Sequence, residues 1–118
     1  MHPVFEVFRS NSNNQYYFRL KAENGQIILS SEGYTTKENC LNGVASVKLN
    51  SPFDSNYLRL TANNGQYYFN LKSMHNSQII GTSELYVSQQ GRENGIDSVK
   101  RNAPLANVVD LSIQQARA

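Results

Sequence analysis

Gln15-Tyr16-Tyr17-Phe18-Arg19-Leu20-Lys21 returns further along the chain as Gln66-Tyr67-Tyr68-Phe69-Asn70-Leu71-Lys72. The echo continues in order. Gln26-Ile27-Ile28 is matched by Gln78-Ile79-Ile80, and Ser31-Glu32 with Tyr34 by Ser83-Glu84 with Tyr86. Asn42-Gly43-Val44-Ala45-Ser46-Val47-Lys48 is matched by Asn94-Gly95-Ile96-Asp97-Ser98-Val99-Lys100, and Asn50 and Pro52 by Asn102 and Pro104. The chain is therefore a tandem duplication of a unit of roughly fifty residues, and self-similarity at such a period decides the fold.

Each copy reads as strands followed by a helix. In the quoted stretch Phe18, Leu20 and Ala22 alternate with Tyr17, Arg19 and Lys21, as Phe69 and Leu71 alternate with Tyr68, Asn70 and Lys72. This period of two marks a half-buried strand. Phe5–Arg9 and Tyr57–Thr61 are short strands before it, and Ile27–Ser31 and Ile79–Ser83 follow it. Asn24-Gly25 and Asn64-Gly65 supply hairpin turns through residues that tolerate positive φ. Thr36 and Ser88 are placed to cap helices. Beyond Thr36, Cys40, Gly43, Val44 and Val47 fall on one helical face. The second copy keeps Gly95, Ile96 and Val99 but has Arg92 in place of Cys40. Pro52 and Pro104 mark the helix exits, and Asn50 and Asn102 are expected to close the helices in a left-handed conformation. Val108–Leu111 reads as a closing strand, and Gln114–Ala118 as a frayed end.

A free-standing unit of this size buries too little apolar surface to be stable alone, so the copies are expected to share one core. The expected fold is α+β: tandem β-β-β-α repeats at about 4–52 and 56–104 plus the C-terminal strand 108–111. They form one domain over 1–118, with one antiparallel sheet of about six to eight strands, helices on one face and pseudo-two-fold symmetry.

The pattern Phe18-Arg19-Leu20-Lys21, Glu32-Gly33-Tyr34 and Asn42-Gly43-Val44 resembles the YegP-like family of small bacterial proteins (domain of unknown function 1508). Phe69-Asn70-Leu71-Lys72, Ile79–Glu84, and Asn102-Ala103-Pro104 followed by Val108–Leu111 are similar to its second repeat. The resemblance spans roughly residues 4–112. It implies tandem units sharing a sheet, with the terminal strand of one unit crossing to the other. It implies no activity and no catalytic residues. Leu85 departs from the common Met, and Asn11–Asn14 is an amide-rich turn.

Composition narrows the function. Net charge is +2, with cations scattered, which is too weak a field to argue for nucleic acid. No stretch approaches the about 18 apolar residues of a membrane span. The N-terminal residues lack the pattern of a secretory signal. The one cysteine, Cys40, has no internal disulfide partner. A cytoplasmic monomer without membrane attachment is expected.

Two groups of residues are candidate ligand contacts. Glu32 with Tyr34, and Glu84 with Tyr86, stand at the strand-to-helix junctions. There they either cover the core end and favour the helix N-terminus or form a polar pair at each end of a groove. Tyr17, Arg19, Lys21, Tyr68 and Lys72 interleave aromatics with cations on the outer sheet face, as single-stranded nucleic acid binding requires, although an ordinary solvated or protein-binding face has the same composition. The retained mid-helix Gly43 and Gly95 imply close backbone packing or a ligand against the helix, since Gly there costs up to about 1 kcal/mol. His2 and His75 are unrepeated, and no metal, phosphate-loop or nucleophile motif is present. No catalytic residue, cofactor or metal is expected. The leading reading is a non-enzymatic module binding a protein or small molecule. The alternatives are a weak single-stranded nucleic-acid binder and an enzyme with a cryptic site between the repeats.

Overall fold

Alternation in the strands separates a buried from a wet side, and a sheet forms around that separation. The computed structural model describes residues 2–115. The first repeat supplies β1 (Val4–Arg9), β2 (Tyr16–Lys21), β3 (Ile27–Ser30) and α1 (Lys37–Asn50). The second supplies β4 (Tyr57–Thr61), β5 (Tyr67–Lys72), β6 (Ile79–Thr82) and α2 (Gln89–Asn102). They are followed by β7 (Asn107–Asp110) and a short α3 (Ser112–Gln115). Residues 116–118 of the tail expected to fray lie outside the described residues.

All seven strands form one sheet in the order β4-β5-β6-β3-β2-β1-β7. The repeats meet at β3 and β6, which pair antiparallel through Ser30 and Thr82. The ladders among β1 to β6 are antiparallel, as expected; β7 departs from this and lies parallel to β1, with Phe5 beside Val108 and Val7 beside Asp110. α2 carries the chain from β6, beside the seam, to β7 at the far edge of the first repeat. The terminal strand of the second repeat thus closes the edge of the first.

The buried faces carry Phe5, Val7, Phe18, Leu20, Leu29, Phe69 and Leu71, covered by Cys40, Val44 and Val47 of α1 and Ile96 and Val99 of α2. Each helix also reaches across the seam, α1 onto β6 and α2 onto β3. Matched aromatic contacts repeat about the pseudo-two-fold. Phe5 meets Phe18 edge-on at 5.8 Å, as Tyr57 meets Phe69 at 5.6 Å. Phe18 stacks with Tyr34 at 6.3 Å, as Phe69 does with Tyr86 at 6.5 Å.

The caps behave as the hydroxyls dictate. Asn39 N–H donates to Thr36 Oγ1 at 3.1 Å, and Gly91 N–H to Ser88 Oγ at 2.9 Å. In the Asn24-Gly25 and Asn64-Gly65 turns the glycines take positive φ, of 84° and 85°, and in the β1–β2 and β5–β6 turns Asn14 and Ser77 do so at 60°. Asn24 and Asn64 instead accept the Gln26 and Gln66 N–H groups through their side chains.

Asn50 and Asn102 correct the expectation of left-handed caps. Each is the last residue of its helix, and Asn102 has φ −89° and ψ −38°. Both are buried, and their amides bond back to the Ser46 and Ser98 carbonyls at 2.9 and 2.8 Å. Asn50 Oδ1 also accepts the Met74 N–H of the second repeat at 2.9 Å. A buried amide needs its hydrogen bonds satisfied, and that demand keeps these residues right-handed and inside.

The helical glycines answer to tyrosine. A Cβ on Gly95 would stand 2.6 Å from Tyr86 Cζ and closer still to its hydroxyl. One on Gly43 would stand 2.9 Å from Tyr34 Cζ and 3.1 Å from Phe18. Gly95→Ala is therefore expected to lower the melting temperature, overpacking of about 1–3 kcal/mol outweighing a helix-propensity gain of about 1 kcal/mol. In a Tyr86→Phe background, where the nearest atom is gone, the loss should shrink. Equal losses in both backgrounds, read by thermal unfolding, would refute the contact.

Candidate functional site: the uncovered sheet face and its open edge

Both long helices sit on the face with Phe18 and Leu20, so the opposite face of the sheet is covered by neither. The alternation in β2 and β5 places Tyr17, Arg19, Lys21, Tyr68 and Lys72 there together, all part-exposed. The structure brings this expected group onto one surface, but its two halves differ.

In the first repeat the face is tied to itself. Arg19 Nε donates to Glu6 at 2.6 Å, and Lys21 Nζ lies 3.4 Å from the same carboxylate. Burial raises the Glu6 pKa, but Arg19 and Lys21 outweigh it and hold the carboxyl below its ordinary value. The Arg19 guanidinium lies 4.6 Å over Phe8, which stacks with Tyr17 at 5.8 Å. Asn13 donates to the Tyr17 hydroxyl at 2.8 Å. Gly33 closes the corner, its backbone against Gln15 and the Tyr17 hydroxyl.

In the second repeat the corresponding positions are apolar. Strand pairing sets Leu58 where β1 has Glu6, and Leu60 where it has Phe8, with Leu60 directly beside Tyr68. Leu85 stands in place of Gly33 and is 51% exposed. Tyr68 and Leu85, with Thr61 and Thr82, line a shallow cleft of about 370 Å³. Asn70 replaces Arg19 and accepts from Thr82 Oγ1 at 2.9 Å. Lys72 has no ion pair among the described residues.

The other expected group does not converge. Tyr34 and Tyr86 are half-buried against Gly43 and Gly95, and burial raises both hydroxyl pKa values. Tyr86 and Glu84 line an open cleft of about 520 Å³ with Lys21, Gln26 and Ile28 of the other repeat. The matching cleft at Tyr34, about 330 Å³, is lined by Asn39, Asn42, Ser46, Gln78 and Ile80, and Glu32 is not part of it. The expected single groove with a carboxylate–tyrosine pair at each end is thus two separate clefts, one charged and one neutral. Geometry requires this, because the tyrosines serve two different helices.

Sequence reasoning overlooked the ionic cluster on the helix side of β4. Arg59 occupies the position of Val7 and donates to Glu93 at 3.0 Å and Asp54 at 2.9 Å. Lys100 Nζ reaches Asp54 at 2.8 Å, and Arg92 approaches Glu93 at 3.4 Å while donating to the Leu60 carbonyl at 3.2 Å. The available signal was Leu58-Arg59-Leu60, a charge at the inward phase of a strand. Hydrogen bonds from Arg59 and Lys100 hold the Asp54 carboxyl down at about 2, and Arg59 likewise lowers Glu93. At the position in the first repeat equivalent to Arg92, Cys40 is buried, and burial pushes its thiol up to about 11, with Asp110 adding to the rise. Among the described residues no group of three or more His, Cys, Asp or Glu side chains is placed to hold a metal. No described helix is long and apolar enough to cross a membrane.

Two β-β-β-α units in one mixed sheet, with the terminal strand that follows the second closing the edge of the first, define a tandem-repeat α+β class. Two segments, residues 11–57 and 62–110, match the family described as "Domain of unknown function (DUF1508)", and the chain belongs to that family. It is 51% identical over 106 residues to the UPF0339 protein YegP of Escherichia coli K12, covering 90% of this chain and 94% of that one. It is 48% identical over 111 residues to a UPF0339 protein in the ptx operon 5′ region of Stutzerimonas stutzeri, covering 94% and 98%. The solution NMR structure of a UPF0339 protein from Shewanella oneidensis superposes with a TM-score of 0.89 at 45% identity, over 97% of this chain and 95% of that one. That of Escherichia coli YegP, titled a protein of unknown function, superposes with a TM-score of 0.88 at 48% identity, over 95% of each. The relatives bear out the expected family and fold, and they carry no assigned activity.

The Asp54 cluster makes a pH prediction. A carboxylate whose folded pKa is depressed stabilises the fold above its unfolded value and loses that contribution as pH falls through the folded value. The Asp54 carboxyl carbon should titrate with a midpoint near 2 in carbon NMR, and Arg59→Met should move it toward the ordinary value of about 3.9. A wild-type midpoint near 4 would contradict the cluster.

Proposed function

We propose that this chain is a non-enzymatic, cytoplasmic protein-binding module that docks a partner on the second-repeat half of its uncovered sheet face. One observation carries the reading: at matched positions the first repeat engages its own side chains, Glu6 with Arg19 and Arg19 with Phe8, whereas the second presents Leu58, Leu60, Tyr68 and Leu85 outward. Apolar groups that neighbour one another at a surface, rimmed by polar ones, favour protein contact.

Other features support it. Cys40, the side chain with nucleophilic chemistry, is buried with a raised pKa, which disfavours thiolate. Its unpaired thiol suits a reducing compartment. The junction tyrosines are committed to packing against the helical glycines. The nucleic-acid reading is weakened because Glu6 neutralises part of the charge of Arg19 and Lys21. The small-molecule reading is weakened because the clefts at Tyr86 and Tyr34 are wide open to solvent.

The test compares immobilised wild-type chain with a Tyr68→Glu variant of unchanged melting temperature, both exposed to host lysate under reducing conditions. A protein retained by the wild type and lost from the variant is expected. Equal retention by both, or retention of nucleic acid that salt removes, would contradict the reading.

A further inference from the structure

The two ends of the sheet are pseudo-equivalent, yet only one is closed. β1 and β4 hold the same place, since Phe5 pairs with Leu20 as Tyr57 pairs with Leu71. β1 has β7 along its outer edge; β4 has no strand there among the described residues. On β4 the Tyr57 N–H already bonds the Asp54 carbonyl; unpaired backbone N–H and C=O groups beyond it are a template for another strand.

Register states what an added strand would meet. On β1, β7 places Val108 beside Phe5, Val109 beside Glu6 and Asp110 beside Val7. The same placement on β4 sets three successive residues beside Tyr57, Leu58 and Arg59, and the next beside Leu60. The residues beside Leu58 and Leu60 stand on the uncovered face, where apolar side chains fit. The residue beside Arg59 stands on the helix side, where ion pairs join Arg59, Arg92 and Lys100 to Asp54 and Glu93, and Asp97 acts on the neighbouring Tyr57. β7 itself carries an acid at this position, and Asp110 there bonds Lys37 at 2.9 Å.

We propose that the β4 edge captures an extended segment of a partner protein, running parallel to β4, with the order β-branched, apolar, acidic, apolar. The proposal rests on the protein-binding reading above and names the edge and the chemistry. Arg59, already paired with Asp54 and Glu93, supplies the selectivity: an acid beside it adds a further charge-assisted contact, whereas a fully apolar strand covers the cluster and offers none. Val108-Val109-Asp110-Leu111 of this chain has the required order, so a peptide of that sequence is a defined probe.

The experiment titrates isotope-labelled full-length chain with a blocked synthetic peptide, Ala-Asn-Val-Val-Asp-Leu-Ser, and follows backbone amides by NMR. Saturable shifts across 57–61 are expected. Arg59→Glu should weaken the affinity roughly tenfold or more, and the Asp110→Lys version of the peptide should restore it. Should Arg59→Glu lower the melting temperature, Leu58→Glu, on the opposite side of the strand, reports instead and should also weaken binding. Absence of saturable shifts at 57–61, shifts confined to 4–9 through displacement of β7, or affinity indifferent to both variants would overturn the proposal. If the peptide fails while a Tyr68-dependent partner is still captured, the edge is refuted and the face survives; failure of both refutes both.

Discussion

The fold depends on one contact at its pseudo-symmetry axis. Leu29 on β3 and Gly81 on β6 occupy equivalent positions, opposite Leu20 and Leu71 on the buried side. Leu29 fills the space that a side chain on Gly81 would take, with a Cβ there standing 2.5 Å from Leu29 Cδ2. Two leucines cannot both lie at the axis, so the duplication persists by breaking its symmetry there. The ladder between the repeats is short, a single pair at Ser30 and Thr82. The halves are held together instead by this contact and by the helices, each crossing onto the third strand of the other repeat. Burial across the seam is what lifts two units that are individually too small to a stable core.

Much of this was legible because it is local. Phe18-Arg19-Leu20 and Phe69-Asn70-Leu71 declare their buried phase, Thr36 and Ser88 their caps, and Asn24-Gly25 its turn, through chemistry confined to a few neighbouring residues. The retained Gly43 and Gly95 announced close packing, although not that tyrosine is what approaches. What was hidden depends on partners distant in the chain. Nothing within Asn107–Asp110 says that it will lie parallel to β1 rather than antiparallel to another strand. Asn50 looks like a left-handed cap until Met74, brought close by the second repeat, offers it an N–H. The residues of the candidate face were legible by alternation. That Glu6 silences half of them, and that Leu58 and Leu60 do not silence the other half, required the register.

The divergence between the repeats carries the functional information. Where the copies agree, at Tyr34 and Tyr86 or Asn50 and Asn102, the shared residues turn out to hold the fold. Where they differ, the difference has a direction. Val7 becomes Arg59, Glu6 becomes Leu58, Gly33 becomes Leu85, and Cys40 becomes Arg92, so one end of the sheet is sealed and quiet while the other combines an apolar face with an ionic cluster beneath an unpaired edge. The inward Arg59 is a known device for discouraging indiscriminate edge pairing, and placing it beside exposed leucines makes the edge selective rather than inert.

The reciprocal exchange at the axis tests the account most directly. Equilibrium unfolding of Gly81→Leu, Leu29→Gly and the double variant forms a thermodynamic cycle. Crowding in the first variant should cost about 1–3 kcal/mol, and the cavity in the second should cost a comparable or larger amount, about 2–5 kcal/mol. The double variant returns one leucine and one glycine to the axis and should be more stable than either single variant. Losses that simply add in the double variant would mean that Leu29 and Gly81 do not share one space, and that the repeats are not held together at this contact.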